Sequence, residues 1–340
     1  MADRDVNPGK PVSLLLSRQA AGRLRPELER AFAGAPWAVV VLDDLAPGEA
    51  PAIDIGFLSR DITGTSSKTR LCASMQRFFD ALFAAPALRW VHTHSAGADR
   101  PMYARLLGKG VRVSTSSGSN ALSVALTAVG GVIALARRFP DIAESQRRRE
   151  WKPLLAERTP RDLAGQCALV VGLGPIGREI ARLLRAIGLR VIGVRQREGE
   201  EPSCDETITY AGFAGALPAA DWLVLACPLT PATRGLVDAG ALSRLPPGAR
   251  VVNVARGEVV VEADLVQALR TGCLAGAWLD VFEQEPLEAG SPLWDLPGVV
   301  VSPHSAGFST GQYDRVGEIF VENLRLWRTG RALRNEVSAP

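Results

Sequence analysis

Three ionisable residues stand just beyond apolar runs in the second half of the chain: Arg256 in VVNVARGEVV, Glu285 in LDVFEQEPL and His304 in VVVSPHSAG. Runs of that length and β-branched content predict strands, and open α/β sheets place their ligands at the carboxyl ends of strands. An arginine, an acid and a histidine are the set that reduction of a 2-oxoacid needs. Arg256 would polarise the carbonyl and pair with the substrate carboxylate. His304, as imidazolium, would protonate the developing alkoxide, while Glu285 would hold the imidazole and favour its charged form. The hydride would come from a nicotinamide C4. Taken singly, each residue has an ordinary reading: Arg256-Gly257 as a surface turn with Gly257 permitting a sharp exit, Glu285-Pro286 as an exposed loop, and His304 as a packed or solvated side chain. With three histidines in the chain, His304 has only His92 and His94 as rivals. Those two alternate along one strand and so face opposite ways. His94, next to the Ser95-Ala96-Gly97 turn, is read either as bordering the substrate or as structural.

A hydride donor needs a seat, and Gly172-Leu173-Gly174-Pro175-Ile176-Gly177 has the form G-x-G-x-x-G. With 33 glycines in 340 residues such a motif arises by chance about 0.3 times per chain, so its context decides. An all-apolar strand, 168–171, feeds straight into it, and 176–187 then reads as a helix closed by Gly188. Gly172 would permit the tight turn, Gly174 a close approach of backbone to pyrophosphate, and Gly177 close packing of helix on strand, with the helix N-terminus receiving the phosphates. An acid at the end of the next strand holds the ribose hydroxyl of NAD, whereas a cation suits the extra phosphate of NADP. Here Arg195-Gln196-Arg197 follows the strand, with no acid before Glu198. The expectation is NADP(H), with NAD(H) also accommodated; the plain alternative is two arginines facing water.

The 47% hydrophobic and 22% charged positions are those of a globular protein, and exclude disorder, collagen and coiled coil. At 340 residues two domains are expected. A net charge of +3 is too mild to indicate nucleic acid, and the RRR cluster at 147–149 has no aromatic interleaving. Cys72, Cys167, Cys204, Cys227 and Cys273 show no C-x-x-C spacing, hence neither a metal site nor a disulfide framework, which suits a reducing cytoplasm. The first ten residues lack the apolar stretch of a secretory signal. The longest uncharged apolar run, 121–136, is shorter than the ~20 residues a bilayer demands and is read as a buried helix.

Strand-like runs at 12–16, 37–42, 53–57, 88–93 and 111–115, with helical stretches between several of them, predict a first parallel α/β unit. A second series, at 167–171, 190–194, 222–226, 250–255, 275–281 and 299–303, predicts another. The fold class expected is therefore α/β, with two doubly wound parallel-sheet domains: a flavodoxin-like substrate domain and an inserted Rossmann cofactor domain. The polar stretch 144–153 reads as a solvated face or as a basic arm. The last segment, 310–326, is amphipathic, with Val316, Phe320, Leu324 and Trp327 on one side, and has no strand to follow, so it can return to the first domain.

With these motifs in order, the chain resembles the D-isomer-specific 2-hydroxyacid dehydrogenase family. The resemblance runs from 163 to 307 through GLGPIGREIA, CPLTPATRGLV, VVNVARGEVV with ADLVQAL, LDVFEQEPL and VVVSPHSAG, and more loosely through WVHTHSAGADR, NALSVALTAVGGVIALAR and the ending GRALRNEV. It implies a substrate domain built from 1–118 plus 306–340, a cofactor domain at 119–305 led by a linking helix at 119–137, and catalysis in a closing cleft. It implies Arg256 as the substrate-binding arginine, Glu285 as the partner of His304, and His304 as the acid/base. The backbone N–H groups of Ser95, Ala96 and Gly97 resemble a carboxylate cradle. Asp280 matches a position near the nicotinamide, and Cys227, Pro228 and Thr230 a loop passing near the adenine and ribose. The same likeness sets Thr233, Ala255 and Ala306, with Pro175 and Ile176, along the cofactor. A homodimer joined through the cofactor domains is implied, with REWKP at 149–153 similar to an arm that offers Trp151 to a neighbour's site. Two departures stand out: Arg195 where an acid is common, and Leu126 where the helix usually carries a glutamate.

The function expected is NADPH-dependent reduction of a small 2-oxoacid, with glyoxylate and hydroxypyruvate first. Phosphite or a bulkier 2-oxoacid is an alternative within the family. Formate enzymes pair the histidine with glutamine, which Glu285 opposes. A different class, a dinucleotide-sensing binding protein like the family's corepressors, is separated from these by turnover. No membrane or nucleic-acid partner is expected.

Overall fold

The structure, a computed structural model, describes residues 10–46, 52–64, 66, 70–98 and 100–337. The start of the chain read for a signal, Thr65 and Ser67–Thr69 of the Ser/Thr-rich stretch, and Asp99 of WVHTHSAGADR lie outside the described residues. Along the chain come β1 (Val12–Leu16), α1 (Arg18–Phe32), β2 (Trp37–Val41), β3 (Ile55–Leu58), α2 (Arg60–Thr63), α3 (Ala73–Ala84), β4 (Trp90–Thr93), α4 (Pro101–Gly108) and β5 (Arg112–Thr115). Next are α5 (Ala121–Ala136), α6 (Phe139–Arg147), β6 (Cys167–Val171), α7 (Pro175–Ala186), β7 (Arg190–Arg195), β8 (Glu206–Thr209), α8 (Phe213–Ala216), β9 (Trp222–Leu225), α9 (Ala239–Leu242), β10 (Ala249–Asn253), α10 (Glu262–Arg270), β11 (Leu274–Leu279) and β12 (Val299–Val301), and α11 (Gln312–Arg328) ends the series.

The strands form two sheets, parallel throughout: β2-β1-β3-β4-β5 and β12-β11-β10-β9-β6-β7-β8. Sequences such as VSLLL and CALVV do not alternate because both faces of these strands are covered by helices. The chain divides into two compact units at Ser119/Asn120 and Ser309/Thr310. Both crossings fall later than 118/119 and 305/306. The second does so because Ala306 is tied by its N–H to Asp280, and Gly307 lies against Asn120, where a Cβ would approach Nδ2 to 2.7 Å.

In the first unit α1 and α11 cover one face of the sheet and α3 and α4 the other. Val316, Phe320, Leu324 and Trp327 are buried, the stripe their spacing predicts, and Phe320 stacks on Phe57 with ring centroids 4.4 Å apart. His92 is wholly buried in this layer. Ser116 donates its hydroxyl to Thr93 O, so ring Nε2 donates to Ser116 Oγ at 2.9 Å; Nδ1 then accepts from Ser114 Oγ at 2.8 Å, and Ser114 in turn accepts from Trp90 Nε1. Burial above all lowers the pKa of His92 to about 3, so this imidazole is a neutral strut of the core.

In the second unit α5 and α7 cover one face and α8, α9 and α10 the other. The expectation that α5 is a buried helix holds for one side only. Val124, Ala125, Ala128 and Val132 are buried, and Gly131 leaves room for the Trp278 indole, but Leu122 and Leu126 are each 55% exposed. Apolar composition does not say which side of a helix is covered. Among the described residues no single helix is long and apolar enough to cross a membrane. The edge strand β8 went unforeseen because ETIT is short and polar; pairing with β7 and the Arg190–Glu206 contact at 2.7 Å hold it in place.

Candidate active site

The strand order of the second sheet reverses between β6 and β9, so the loops after these strands diverge and leave a crevice at their carboxyl ends. The loop after β6 is the glycine motif. Gly172 turns there with φ +95°, and a Cβ on it would lie 2.5 Å from Cys227 Cα. A Cβ on Gly177 would lie 1.7 Å from the Gly172 carbonyl oxygen, so this glycine is required by the close return of the helix. Gly174 is different: its Cβ would meet no protein atom within 4 Å, and its φ of −73° suits any residue. Nothing in the protein demands glycine there, whereas a pyrophosphate lying against the backbone would. Pro175 is the first residue of α7, which receives no side-chain cap, and Ile176 follows, so the N-terminal turn is of the kind whose N–H groups can receive an anion. The motif therefore fits a dinucleotide.

At the end of β7, Arg195 is partly buried, and Gln196 and Arg197 are exposed. Of the acids that follow, Glu201 is held by Arg178 Nε at 2.8 Å and by the Ser203 hydroxyl. After β9, Cys227-Pro228 opens a turn that Thr233 closes. The buried Thr233 hydroxyl donates to Pro228 O at 2.7 Å and accepts from the Thr230 N–H at 2.8 Å. These bonds make Thr233 a staple of the loop. Burial pushes the Cys227 thiol up to about 11, and Tyr210 hydrogen-bonds it.

Arg256 leaves β10 through a turn clamped by Asn253, a buried amide whose Oδ1 accepts from the Ala255 N–H at 3.0 Å and whose Nδ2 donates to Arg256 O at 3.2 Å. Arg256 Nη1 also donates to Ala255 O at 2.7 Å. Gly257 does not take a positive φ, so a sharp exit is not its purpose. A Cβ there would fall 1.8 Å from the Phe282 carbonyl carbon: the loop bearing Arg256 packs backbone to backbone against the loop bearing Glu285.

Glu285 and His304 meet directly, His304 Nδ1 lying 2.8 Å from Glu285 Oε2. An ionised carboxylate only accepts, so Nδ1 carries a proton, and Nε2 is the ring nitrogen that takes no part in this bond. Glu285 is fixed in turn by the Phe282 N–H, which donates to Oε1 at 3.2 Å. His304 has φ +50°, a left-handed conformation uncommon for a residue with a side chain. Asp280 holds it there. Its carbonyl accepts the His304 N–H at 2.9 Å, and its buried Oδ1 accepts from Ser302 Oγ at 2.6 Å, Ser305 N at 2.9 Å and Ala306 N at 3.1 Å. The Asp280 carboxylate thus faces the histidine loop, and Ala306 presents its N–H to it. Sequence reasoning missed Asn253, Ser302 and this work of Asp280; a lone polar residue inside or ending an apolar strand was the available signal.

In the first unit, Ser95 gives its N–H to Thr93 Oγ1 at 3.3 Å, leaving Ala96 and Gly97 as the N–H groups of the expected cradle that donate to no other described residue. His94 does not join them, because its Nε2 meets Thr63 Oγ1 at 2.9 Å. In the stretch after α5, Arg147 and Arg148 pair with Glu144, and Trp151 is 97% exposed. No group of metal-ligating side chains occurs among the described residues.

A family model described as the NAD-binding domain of D-isomer specific 2-hydroxyacid dehydrogenases matches residues 129–306. The chain is 34% identical over 259 residues to the D-3-phosphoglycerate dehydrogenase of Mycobacterium leprae, covering 76% of this chain and 48% of that relative. It therefore spans about half the length of this relative. To the glyoxylate reductase of Korarchaeum cryptofilum it is 32% identical over 259 residues, covering 75% of this chain and 77% of the relative. Among solved structures, the NADPH-dependent glyoxylate/hydroxypyruvate reductase of Sinorhizobium meliloti, in complex with NADP and sulfate, is similar with a TM-score of 0.77 and 26% identity, over 97% of this chain and 99% of that one.

Proposed function

Because the chain belongs to the D-isomer-specific 2-hydroxyacid dehydrogenase family, we propose that it catalyses NADPH-dependent reduction of a small 2-oxoacid, of the glyoxylate and hydroxypyruvate class, to the D-2-hydroxyacid. The observation that carries this reading is the 2.8 Å contact between His304 Nδ1 and Glu285 Oε2, which leaves Nε2 outside that bond. A dinucleotide seated on Gly174 and the start of α7 supplies a hydride from its nicotinamide when bound. Arg195, with Gln196 and Arg197, takes the extra phosphate of NADPH. Arg256 pairs with the substrate carboxylate and draws electron density onto the carbonyl oxygen. As hydride reaches the carbonyl carbon, His304 gives its Nε2 proton to the oxygen, and hydride plus proton complete the alcohol. Glu285 remains ionised, compensating the imidazolium before transfer and keeping Nδ1–H oriented after it.

Exposed apolar side chains on α5, α6 and the stretch that follows, namely Leu122, Leu126, Phe139, Ile142 and Trp151, support a homodimer through the second unit. Five free cysteines suit the cytoplasm.

The test is loss of NADPH or NADH absorbance with glyoxylate, hydroxypyruvate, pyruvate, phenylpyruvate and longer 2-oxoacids. Oxidation of D-3-phosphoglycerate belongs in the panel because of the relatives of that name. Turnover with NADPH and a short acid is expected, and His304→Ala should lower it roughly 10²–10⁴-fold while NADPH still binds. Dinucleotide binding without turnover of any acid would replace this reading by that of a binding protein.

A further inference from the structure

Arg195 leaves β7 on a definite side of the second sheet. A Cβ on Gly193 would lie 2.6 Å from Cys204 Sγ and 2.7 Å from a Leu173 methyl carbon, so that side of the strand is the one packed with Leu173, Cys204 and the apolar face of α7. Alternate residues of a strand share a face, and Arg195, two positions on, emerges there as well. Its Nη1 lies 3.9 Å from the place of a Cβ on Gly199, where the chain turns with φ +133°.

The returning chain brings an acid to the same side. The Glu201 N–H donates to Thr207 Oγ1 at 3.2 Å, and Thr207 is paired with Gly193 across β7 and β8. The Glu201 side chain is only 11% exposed; its Oε2 accepts from Arg178 Nε at 2.8 Å and its Oε1 from the Ser203 hydroxyl at 3.1 Å. Arg178 is the fourth residue of α7. The neighbouring acids Glu198 and Glu200 are exposed, where water and salt screen their charge. Glu201 is largely out of water, so its charge acts more strongly on whatever lies near. From Gly199 to Glu201 is roughly 7 Å of chain at most, and a Glu201 side chain not held by Arg178 can therefore turn to the Arg195 guanidinium.

An acid beside the end of this strand accepts from the ribose hydroxyl of NAD and repels the extra phosphate of NADP. The loop that carries Arg195 thus also carries, at Glu201, a residue suited to the other cofactor. We infer that Arg178 is a specificity-determining residue that acts through Glu201: the ion pair sequesters the acid and leaves Arg195 uncompensated for the phosphate of NADPH. Arg178 does not itself hold the phosphate. Removing Arg178 alone releases the acid and turns the loop towards NADH, whereas removing both partners leaves the charge around Arg195 as it was. The inference rests on the reading of Arg195 as the phosphate-binding arginine.

Fluorescence titration of the full chain with NADPH and with NADH tests this, read as the ratio of the two Kd values. In Arg178→Met the preference for NADPH should fall at least about tenfold, with NADPH binding weakened and NADH binding kept or tightened. Arg178→Lys, which keeps the charge, should stay near the parent chain. Glu201→Gln alone should keep the preference, and the double variant Arg178→Met/Glu201→Gln should regain it. Equal losses in Arg178→Met and Glu201→Gln would make the pair a brace of the loop and overturn the inference. So would a double variant as impaired as Arg178→Met, which would make Arg178 a direct ligand, or an Arg178→Met whose ratio is unchanged. Should Arg178→Met fail to fold, Arg178→Gln takes its place. A parent chain that binds NADPH no tighter than NADH overturns the cofactor reading instead. The inference then stands only if Arg178→Met tightens NADH binding and Glu201→Gln cancels that gain; NADH binding unchanged in Arg178→Met overturns it too.

Discussion

Asp280 holds His304 from behind: the His304 N–H donates to the Asp280 carbonyl at 2.9 Å, and the Asp280 carboxylate collects the N–H groups of the two residues that follow the histidine. This buried acid is what keeps a residue with a side chain in a left-handed conformation at the position proposed for the proton donor.

Asp280→Asn replaces an oxygen that accepts three bonds by an amide that accepts fewer and donates. On the proposed reaction, turnover should fall about tenfold to a hundredfold, with the loss in kcat exceeding any change in NADPH affinity. Unchanged kcat, with a folded protein by circular dichroism, would show that the histidine loop holds itself.

Gly174 and Gly177 should respond to alanine in opposite ways. Gly174→Ala adds a methyl group in open space, so thermal stability should be kept while NADPH affinity falls at least about tenfold, as a methyl group separates the backbone from the phosphates. Gly177→Ala drives a methyl group into the Gly172 carbonyl oxygen and should destabilise the fold by several kcal/mol, on the order expected for overpacking. Unaltered binding by Gly174→Ala would remove the phosphates from this loop.

Arg195→Ala tests the cofactor preference. A charge-assisted bond to phosphate contributes roughly 1.5–3 kcal/mol, so NADPH affinity should drop about 10–100-fold, and NADH affinity by much less. Fluorescence titration with both dinucleotides reads this directly, and an equal loss for the two would mean that Arg195 serves the loop and not the phosphate.

His92 and His94 predict acid sensitivity of the first unit. Their folded pKa values, about 3 and about 4, lie below the unfolded value of 6.5, so below pH 6.5 the unfolded chain binds more protons than the folded one. Stability is then complete above pH 6.5 and lost as pH falls from there towards 4 for His94 and towards 3 for His92. At pH 5 the loss is about 2 kcal/mol for each histidine. Urea midpoints at pH 7.5 and pH 5 should separate accordingly, and His92→Gln should narrow the gap; a gap independent of that substitution would assign the acid loss to other groups.

Much of this was legible in the residues because it is a matter of local chemistry. Short apolar runs without alternation, such as VSLLL and CALVV between turn residues, read as strands covered on both faces. The stripe of Val316, Phe320, Leu324 and Trp327 places one helix side inward, and G-x-G-x-x-G between strand and helix names its own turn. Arg256, Glu285 and His304 were found by type and by position after strands. What chain order cannot carry is the encounter of residues that parallel strands bring side by side from distant segments. The 2.8 Å bond across the 19 positions from Glu285 to His304, the reach of Asp280 to Ala306, and the backbone of Phe282 against Gly257 exist because β10, β11 and β12 are neighbours in one sheet. The same holds for Thr233 and His94, whose types suggested ligand contact. A hydroxyl or an imidazole takes whichever partner the fold brings within about 3 Å, and only the tertiary structure showed that Thr233 is engaged within its own turn and that His94 Nε2 is engaged by Thr63 Oγ1.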